Sequence, residues 1–181
     1  ARRNRKTNPC NKKSERSKLS VKNKDLKEFR KDLEMKNSKK TLTNSMTLTF
    51  LSLSQNESFA RQAVCAFCAQ LDPTLEELSD LRIIISEAVT NCVVHAYRKA
   101  LGEIFLSVKC YDDKSIHIKI RDKGCGIENI KEAMIPFYTT DKQGERSGMG
   151  FAIMQGLSKK LKVKSQVGKG TTLDIYIKFG E

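Results

Sequence analysis

The chain has 181 residues, 39% of them apolar and 30% charged, with a formal net charge of +13. That balance suits one soluble globular domain with something appended, and no run approaches the roughly 20 apolar residues of a membrane span. No charged n-region followed by an apolar h-region marks a secretory signal, so the expectation is a cytoplasmic protein with no membrane partner.

The charge is unevenly spread. Residues 1–45 hold 16 Lys and Arg against 5 Asp and Glu, an excess of 11, which leaves 18 against 16 for residues 46–181. The first segment is poor in aromatics and cannot bury enough apolar area to offset its chain entropy, so residues 1–45 are expected to be a basic, disordered extension, loosely helical at most around 26–35. Such charge attracts nucleic acid through counterion release. No aromatic interleaving or folded binding motif accompanies it here, so a solvated extension is expected and nucleic acid is not. The six cysteines, Cys10, Cys65, Cys68, Cys92, Cys110 and Cys125, lie in apolar contexts and read as reduced core-filling residues. Cys65 and Cys68 have C-x-x-C spacing, but with no second pair and no nearby His the spacing does not make a metal site.

The folded part, residues 46–181, is expected to open with a strand over 46–51. Ser54 to Glu57 has S-x-x-E capping-box spacing and predicts a helix over 56–70 that buries Phe59, Ala63, Phe67 and Cys68 or their neighbours. Asp72-Pro73 breaks it, and Thr74 to Glu77 offers a second capping box for a long apolar helix. Strands over 104–110 and 116–121, joined by Asp112-Asp113-Lys114, read as an antiparallel pair. A short helix over 128–134, a polar loop and a helix over 148–157 follow. Strands over 161–166 and 172–179 close the chain, with Leu173, Ile175, Ile177 and Phe179 on one face. Helices with a largely antiparallel sheet predict an α+β two-layer sandwich.

Chemistry enters with Glu87-Ala88-Val89-Thr90-Asn91 in the long helix. A helix advances about 3.6 residues per turn, so Glu87 and Asn91 share a face and can reach one ligand, with His95 extending the stripe. An Asn oxygen can join the oxygen shell of magnesium, and a Glu can take a proton from an attacking hydroxyl. Three glycine turns follow: Asp122-Lys123-Gly124-Cys125-Gly126, Ser147-Gly148-Met149-Gly150 and Gly168-Lys169-Gly170-Thr171. The first sets an acceptor carboxylate beside backbone that a flat ligand can approach closely. The second stands at a helix start, where unpaired N–H groups favour phosphate. The third brings a hydroxyl to the end of the sheet. Each turn alone is weak, and their order and spacing together are a strong signal.

This set resembles the gyrase, Hsp90, histidine-kinase and MutL superfamily of ATP-binding domains, and no G-x-x-x-x-G-K-[ST] P-loop is present. The resemblance implies adenine bound at Asp122 with Gly124, Gly126 and Thr171 alongside, magnesium on Asn91, and phosphates cradled by Ser147, Gly148, Met149 and Gly150. It also implies a lid over residues 130–147, entered through Phe137-Tyr138-Thr139-Thr140, with Thr140 contributing to the ATP site. Closer still, Leu53 to Arg61, Ser86 to Asn91 and Glu145 to Phe151 are similar to the anti-sigma-F factors of spore-forming bacteria. That family implies a homodimeric protein-serine kinase that sequesters a sporulation sigma factor and phosphorylates an anti-anti-sigma partner. Glu87 is then the base or orienting group and Arg146 a cation near the γ-phosphate. A nucleotide-gated sigma binder without kinase activity is the alternative of a different class. A sensor histidine kinase shares the ATP core but needs an upstream phospho-acceptor His, and the only histidines are His95 and His117. If Phe59 points into the core, Arg61 lies about 200° away around the helix on the exposed side, where it is expected to contact a partner.

Overall fold

Alternating apolar and polar side chains draw five strands into one sheet: β1 (Leu42–Leu51), β2 (Glu103–Tyr111), β3 (Ser115–Arg121), β4 (Lys160–Gln166) and β5 (Gly170–Lys178). The computed structural model describes residues 40–97, 100–136 and 148–180, all but Lys40 within a unit that runs from Thr41 to Glu181. The spatial order is β1-β2-β3-β5-β4 and every pairing is antiparallel. The expected α+β sandwich is present, with a wholly antiparallel sheet among the described residues. β1 starts at Leu42 rather than at the expected Met46, because Leu42 pairs with Tyr111 and Thr41 exchanges two hydrogen bonds of 3.0 Å with Asp112.

One face of the sheet carries Ile104, Leu106, Val108 and Cys110 of β2, Ile116, Ile118 and Ile120 of β3, and Leu173, Ile175 and Ile177 of β5, all buried. Two helices, α1 (Gln55–Cys68) and α2 (Leu75–Thr90), pack on that face and share its core. Each fully buried Ile or Leu contributes about 1.5–3 kcal/mol relative to exposure. The expected orientation of α1 is corrected: Ala60, Val64, Cys65 and Cys68 face the core, while Phe59 is 54% exposed. The large Leu81, Ile84 and Ile85 of α2 already fill the space between the helices, so α1 approaches with its small residues.

The two capping boxes behave differently. Thr74 Oγ1 accepts from Glu77 N at 3.2 Å and Glu77 Oε2 accepts from Thr74 N at 2.8 Å, so the second box forms at the start of α2. The first does not: Ser54 is itself in the right-handed helical conformation and makes no side-chain cap, while the Glu57 carboxylate turns inward to accept from Ser86 Oγ at 2.6 Å. After α2 the chain makes a π-helical turn, Asn91–Ala96. A 3-10 turn, Ala69–Leu71, follows α1, and two further short helices are α3 (Ile130–Ala133) and α4 (Gly150–Gly156), both shorter than expected. Met154 of α4 is fully buried in the common core. No helix of the described residues is long and apolar enough to cross a membrane.

Thr74→Ala removes the reciprocal cap that starts α2 and is expected to cost about 1 kcal/mol of stability. Urea denaturation of the full chain measures it as a lower midpoint at unchanged slope.

Candidate active site

Helical spacing and a glycine together build the polar centre of the site. Glu87 lies in the last turn of α2 and Asn91 caps it, its backbone N–H donating to the Glu87 and Ala88 carbonyls. Gly150, the first residue of α4, sits against both side chains. A Cβ added there would lie 2.7 Å from Glu87 Oε2 and 3.6 and 3.7 Å from Asn91 Nδ2 and Oδ1. Any larger residue would fill the space these groups share. Asn91 Nδ2 is buried and has no hydrogen-bond partner, alone among the described side chains. A buried amide left unpaired costs on the order of 1–3 kcal/mol, so Asn91 is a candidate ligand contact. Gly148 has φ +63°, the left-handed region, and turns the chain into Met149 and α4.

The second centre is Asp122, which leaves the end of β3 and is only 4% exposed. Its Oδ1 accepts from Gly124 N at 2.9 Å and from Thr171 N at 3.1 Å. The remaining oxygen, Oδ2, has a weak thiol contact from Cys92 at 3.9 Å. Burial pushes the Asp122 carboxyl above its ordinary value, and the two backbone donors and the Cys92 thiol pull it part of the way back. Burial, then the Asp122 charge, pushes the Cys92 thiol up as well.

Close backbone approach explains the glycines around Asp122. A Cβ on Gly124 would lie 2.3 Å from the Ala96 carbonyl oxygen, and one on Gly170 (φ +95°) would lie 2.3 Å from the Asp122 carbonyl oxygen. Gly126 has φ +74° and lies against Gln166. Cys125 N donates to Ala96 O at 2.8 Å, which ties this turn to the π turn after Asn91. Thr171 Oγ1 lies 2.9 Å from Ser165 Oγ, which also accepts from Ile127 N at 2.8 Å. The Gly168 to Thr171 motif and the Asp122 turn therefore share one wall.

His95 does not extend the Glu87–Asn91 stripe as an α-helical stripe would, because the π turn intervenes. Its side chain is exposed, and its carbonyl accepts from the Cys125 thiol at 3.1 Å. Arg146, Ser147, Thr140 and the Phe137 to Thr140 run lie outside the described residues. Sequence reasoning missed Tyr97, whose hydroxyl accepts from Lys123 N at 2.8 Å and donates to Glu103 O at 2.6 Å, bracing the Asp122 turn. Cys92 is the reduced, buried residue expected, but its contact with Asp122 was not foreseen, and neither was the link from Ser86 to Glu57 and Arg61.

Arg61 departs from the expected geometry. With Phe59 outside, Arg61 is half-buried, donating to Ser86 Oγ at 3.1 Å and pairing with Glu57 at 3.4 Å. It lines a groove of about 900 Å³ between α1 and α2, together with Cys65, Arg82, Ser86 and Glu87. Glu87 thus borders both this groove and the space beside Gly150.

A two-layer sandwich with Glu87, Asn91, Asp122 and the glycine turns along one border is the architecture of an ATPase domain. The profile of the family described as histidine kinase-, DNA gyrase B-, and HSP90-like ATPase matches residues 76–181. An anti-sigma F factor of Caldanaerobacter subterraneus is 52% identical over 128 residues, covering 71% of this chain and 89% of its own length. Those of Priestia megaterium and Clostridium acetobutylicum are 47% and 46% identical, covering 73% and 76% of this chain and 90% and 96% of their own lengths. In fold, the chain is similar to the crystal structure of the RsbU and RsbW domains of a Mycobacterium tuberculosis protein. That likeness has a TM-score of 0.56 at 17% identity, over 76% of this chain and 33% of that one. The chain belongs to the anti-sigma F factor family, within these ATPases.

The raised Asp122 carboxyl has a direct pH consequence. The folded chain holds that proton more tightly than the unfolded chain, so Asp122 favours folding at low pH. This contribution is lost as pH rises from the ordinary Asp value through the raised one. Asp122→Asn keeps an acceptor for Gly124 and Thr171 and cannot ionise. In the nucleotide-free protein it is expected to be neutral or stabilising at pH 7 and to flatten this part of the stability profile, as urea midpoints across a pH series will read.

Proposed function

We propose that this cytoplasmic protein binds and inhibits a sporulation sigma factor and uses ATP to phosphorylate a serine of an anti-anti-sigma protein. The observation that carries the reading is the convergence of Glu87 and the orphaned Asn91 amide on Gly150, where an added Cβ would come within 2.7 Å of Glu87 Oε2. An amide can turn its oxygen outward, and Asn91 Oδ1 then offers a hard ligand that suits magnesium. Bound ATP supplies the phosphoryl group, and the metal neutralises charge on its phosphates.

The chain's own groups do the rest. Asp122 Oδ2 accepts from the exocyclic amino group of adenine, and Gly124 and Gly126 keep the wall thin enough for the ring, with Thr171 at its edge. Gly148, Met149 and Gly150 lie against the phosphates. By the family resemblance Ser147 and Thr140 join them and Arg146 is a cation toward the γ-phosphate. Glu87 faces the groove from which a protein serine can enter, and it accepts the hydroxyl proton as the oxygen attacks. Positioning and charge neutralisation supply most of the catalysis in such transfers. A homodimer is part of the reading, since one sigma factor can then meet both subunits across a two-fold axis.

Glu87→Gln keeps the shape and loses the base. It is expected to lower phosphate transfer from radiolabelled ATP to an anti-anti-sigma serine by roughly 10²–10⁴-fold while ATP affinity is kept. If the parent protein forms no serine phosphate and sigma binding is intact, the chain is a nucleotide-gated binder and not a kinase.

Arg61 remains the proposed partner contact in its corrected setting. Its contacts to Ser86 and Glu57 both run through Nη1, and a guanidinium has five donors, so it can also receive a carboxylate at the groove mouth. Arg61→Ala is expected to weaken sigma or anti-anti-sigma binding by roughly tenfold or more at unchanged ATP affinity. Equal titration curves for variant and parent at one nucleotide concentration would remove Arg61 from the interface.

A further inference from the structure

The face of the sheet opposite the helices is organised in three cross-strand rows, read from β4 through β5, β3 and β2 to β1. The first is Lys160, Tyr176, His117, Lys109 and Ser45; the second is Lys162, Asp174, Lys119, Ser107 and Thr47; the third is Lys164, Thr172, Arg121, Phe105 and Thr49. Of these fifteen positions six are Lys or Arg and one is a carboxylate. All six cations are exposed, whereas Asp174 is buried between His117 at 2.8 Å and Lys119 at 3.5 Å. Residues 46–181 as a whole hold 18 basic against 16 acidic residues. Six of those 18 basic residues therefore lie on one face of the sheet beside a single acidic one.

Lysines on an edge strand such as β4 also oppose pairing between copies. Lys109, Lys119 and Arg121 stand on the interior strands β2 and β3, where no edge needs protection. Such a field selects an anionic partner, and the aromatic rings on the face decide which kind. Tyr176 stacks on His117 at 4.4 Å and lies under Lys162 Nζ at 5.5 Å. Phe105 lies under Arg121 at 5.4 Å and Lys123 at 5.2 Å. These rings are engaged by neighbours rather than presented as the open stacking platforms that single-stranded nucleic acids require. Carboxylate side chains need only the cations.

We propose that this face, formed by Lys109, Lys119, Arg121, Lys160, Lys162 and Lys164, is a docking surface for an acidic segment of a protein partner. Same-side residues along a strand repeat at about 6.8 Å and strands lie about 4.8 Å apart, so an extended chain with acidic residues at alternate positions can match one column of cations. None of these residues belongs to the Glu87–Asn91–Asp122 site, and the surface can be occupied together with nucleotide.

Lysine acetylation of the full chain, read residue by residue by mass spectrometry, tests this with poly-L-glutamate as the probe. The same measurement with an oligothymidylate of equal charge and with phosphatidylserine vesicles gives the other anions. Poly-glutamate is expected to protect Lys109, Lys119, Lys160, Lys162 and Lys164 at low ionic strength, and protection should fade as the Debye length falls below about 10 Å. The triple variant Lys109→Glu, Lys160→Glu, Lys164→Glu should weaken poly-glutamate binding roughly tenfold or more with nucleotide affinity kept. Protection confined to lysines 6–40, stronger protection of the sheet lysines by the oligonucleotide or the vesicles, or protection that grows with protein concentration without any probe would each overturn it.

Discussion

The buried carboxylate of Asp122 is the point on which the site's geometry depends. One oxygen holds Gly124 N and Thr171 N together, so the end of β3, the turn after it and the start of β5 are tied at a single atom. Backbone bonds repeat the tie, Asp122 N to Thr171 O at 3.0 Å and Gly168 N to Cys125 O at 2.8 Å. Burying that carboxylate costs stability, which its raised proton affinity registers. The other oxygen keeps only a weak contact with the Cys92 thiol at 3.9 Å.

α2 supplies the opposite border. Its apolar face anchors it in the core through Leu81, Ile84, Ile85 and Ala88, and this sets the rotation at which Glu87 and Asn91 emerge. The π turn after Asn91 then carries the chain back to the Asp122 turn, where Ala96 O receives Cys125 N. Glu87 and Asp122 are positioned by one continuous helix and one set of backbone bonds. The Glu57–Ser86–Arg61 contacts join α1 to α2 one residue before Glu87. A partner that engaged Arg61 would therefore touch a network one residue from Glu87.

Much of this was legible in the chain. Alternation gave the strands within a residue or two, except for β1, where Thr43, Asn44 and Ser45 are polar and the extension to Leu42 rests on pairing with Tyr111. The Thr74 box was readable because its partners are three residues apart and exposed. The same spacing at Ser54 failed because Ser54 itself takes the helical conformation and the Glu57 carboxylate has a partner far away in sequence, Ser86. Phe59 misled for a related reason, since size argues for burial only where the facing helix leaves room, and the facing Leu and Ile side chains do not.

The local rules by themselves determined the order of elements, the α+β class, the shared helical face of Glu87 and Asn91, and the glycine turns. These are properties of dihedral preference and periodicity, which act over a few residues. Tertiary structure alone decided that Gly150 closes on Glu87 and Asn91, that Thr171 and Gly124 share one oxygen of Asp122, and that six cations gather on one side of the sheet. Those facts depend on strand order and on contacts between residues far apart in the chain. No local preference encodes them; the packing of the whole core does.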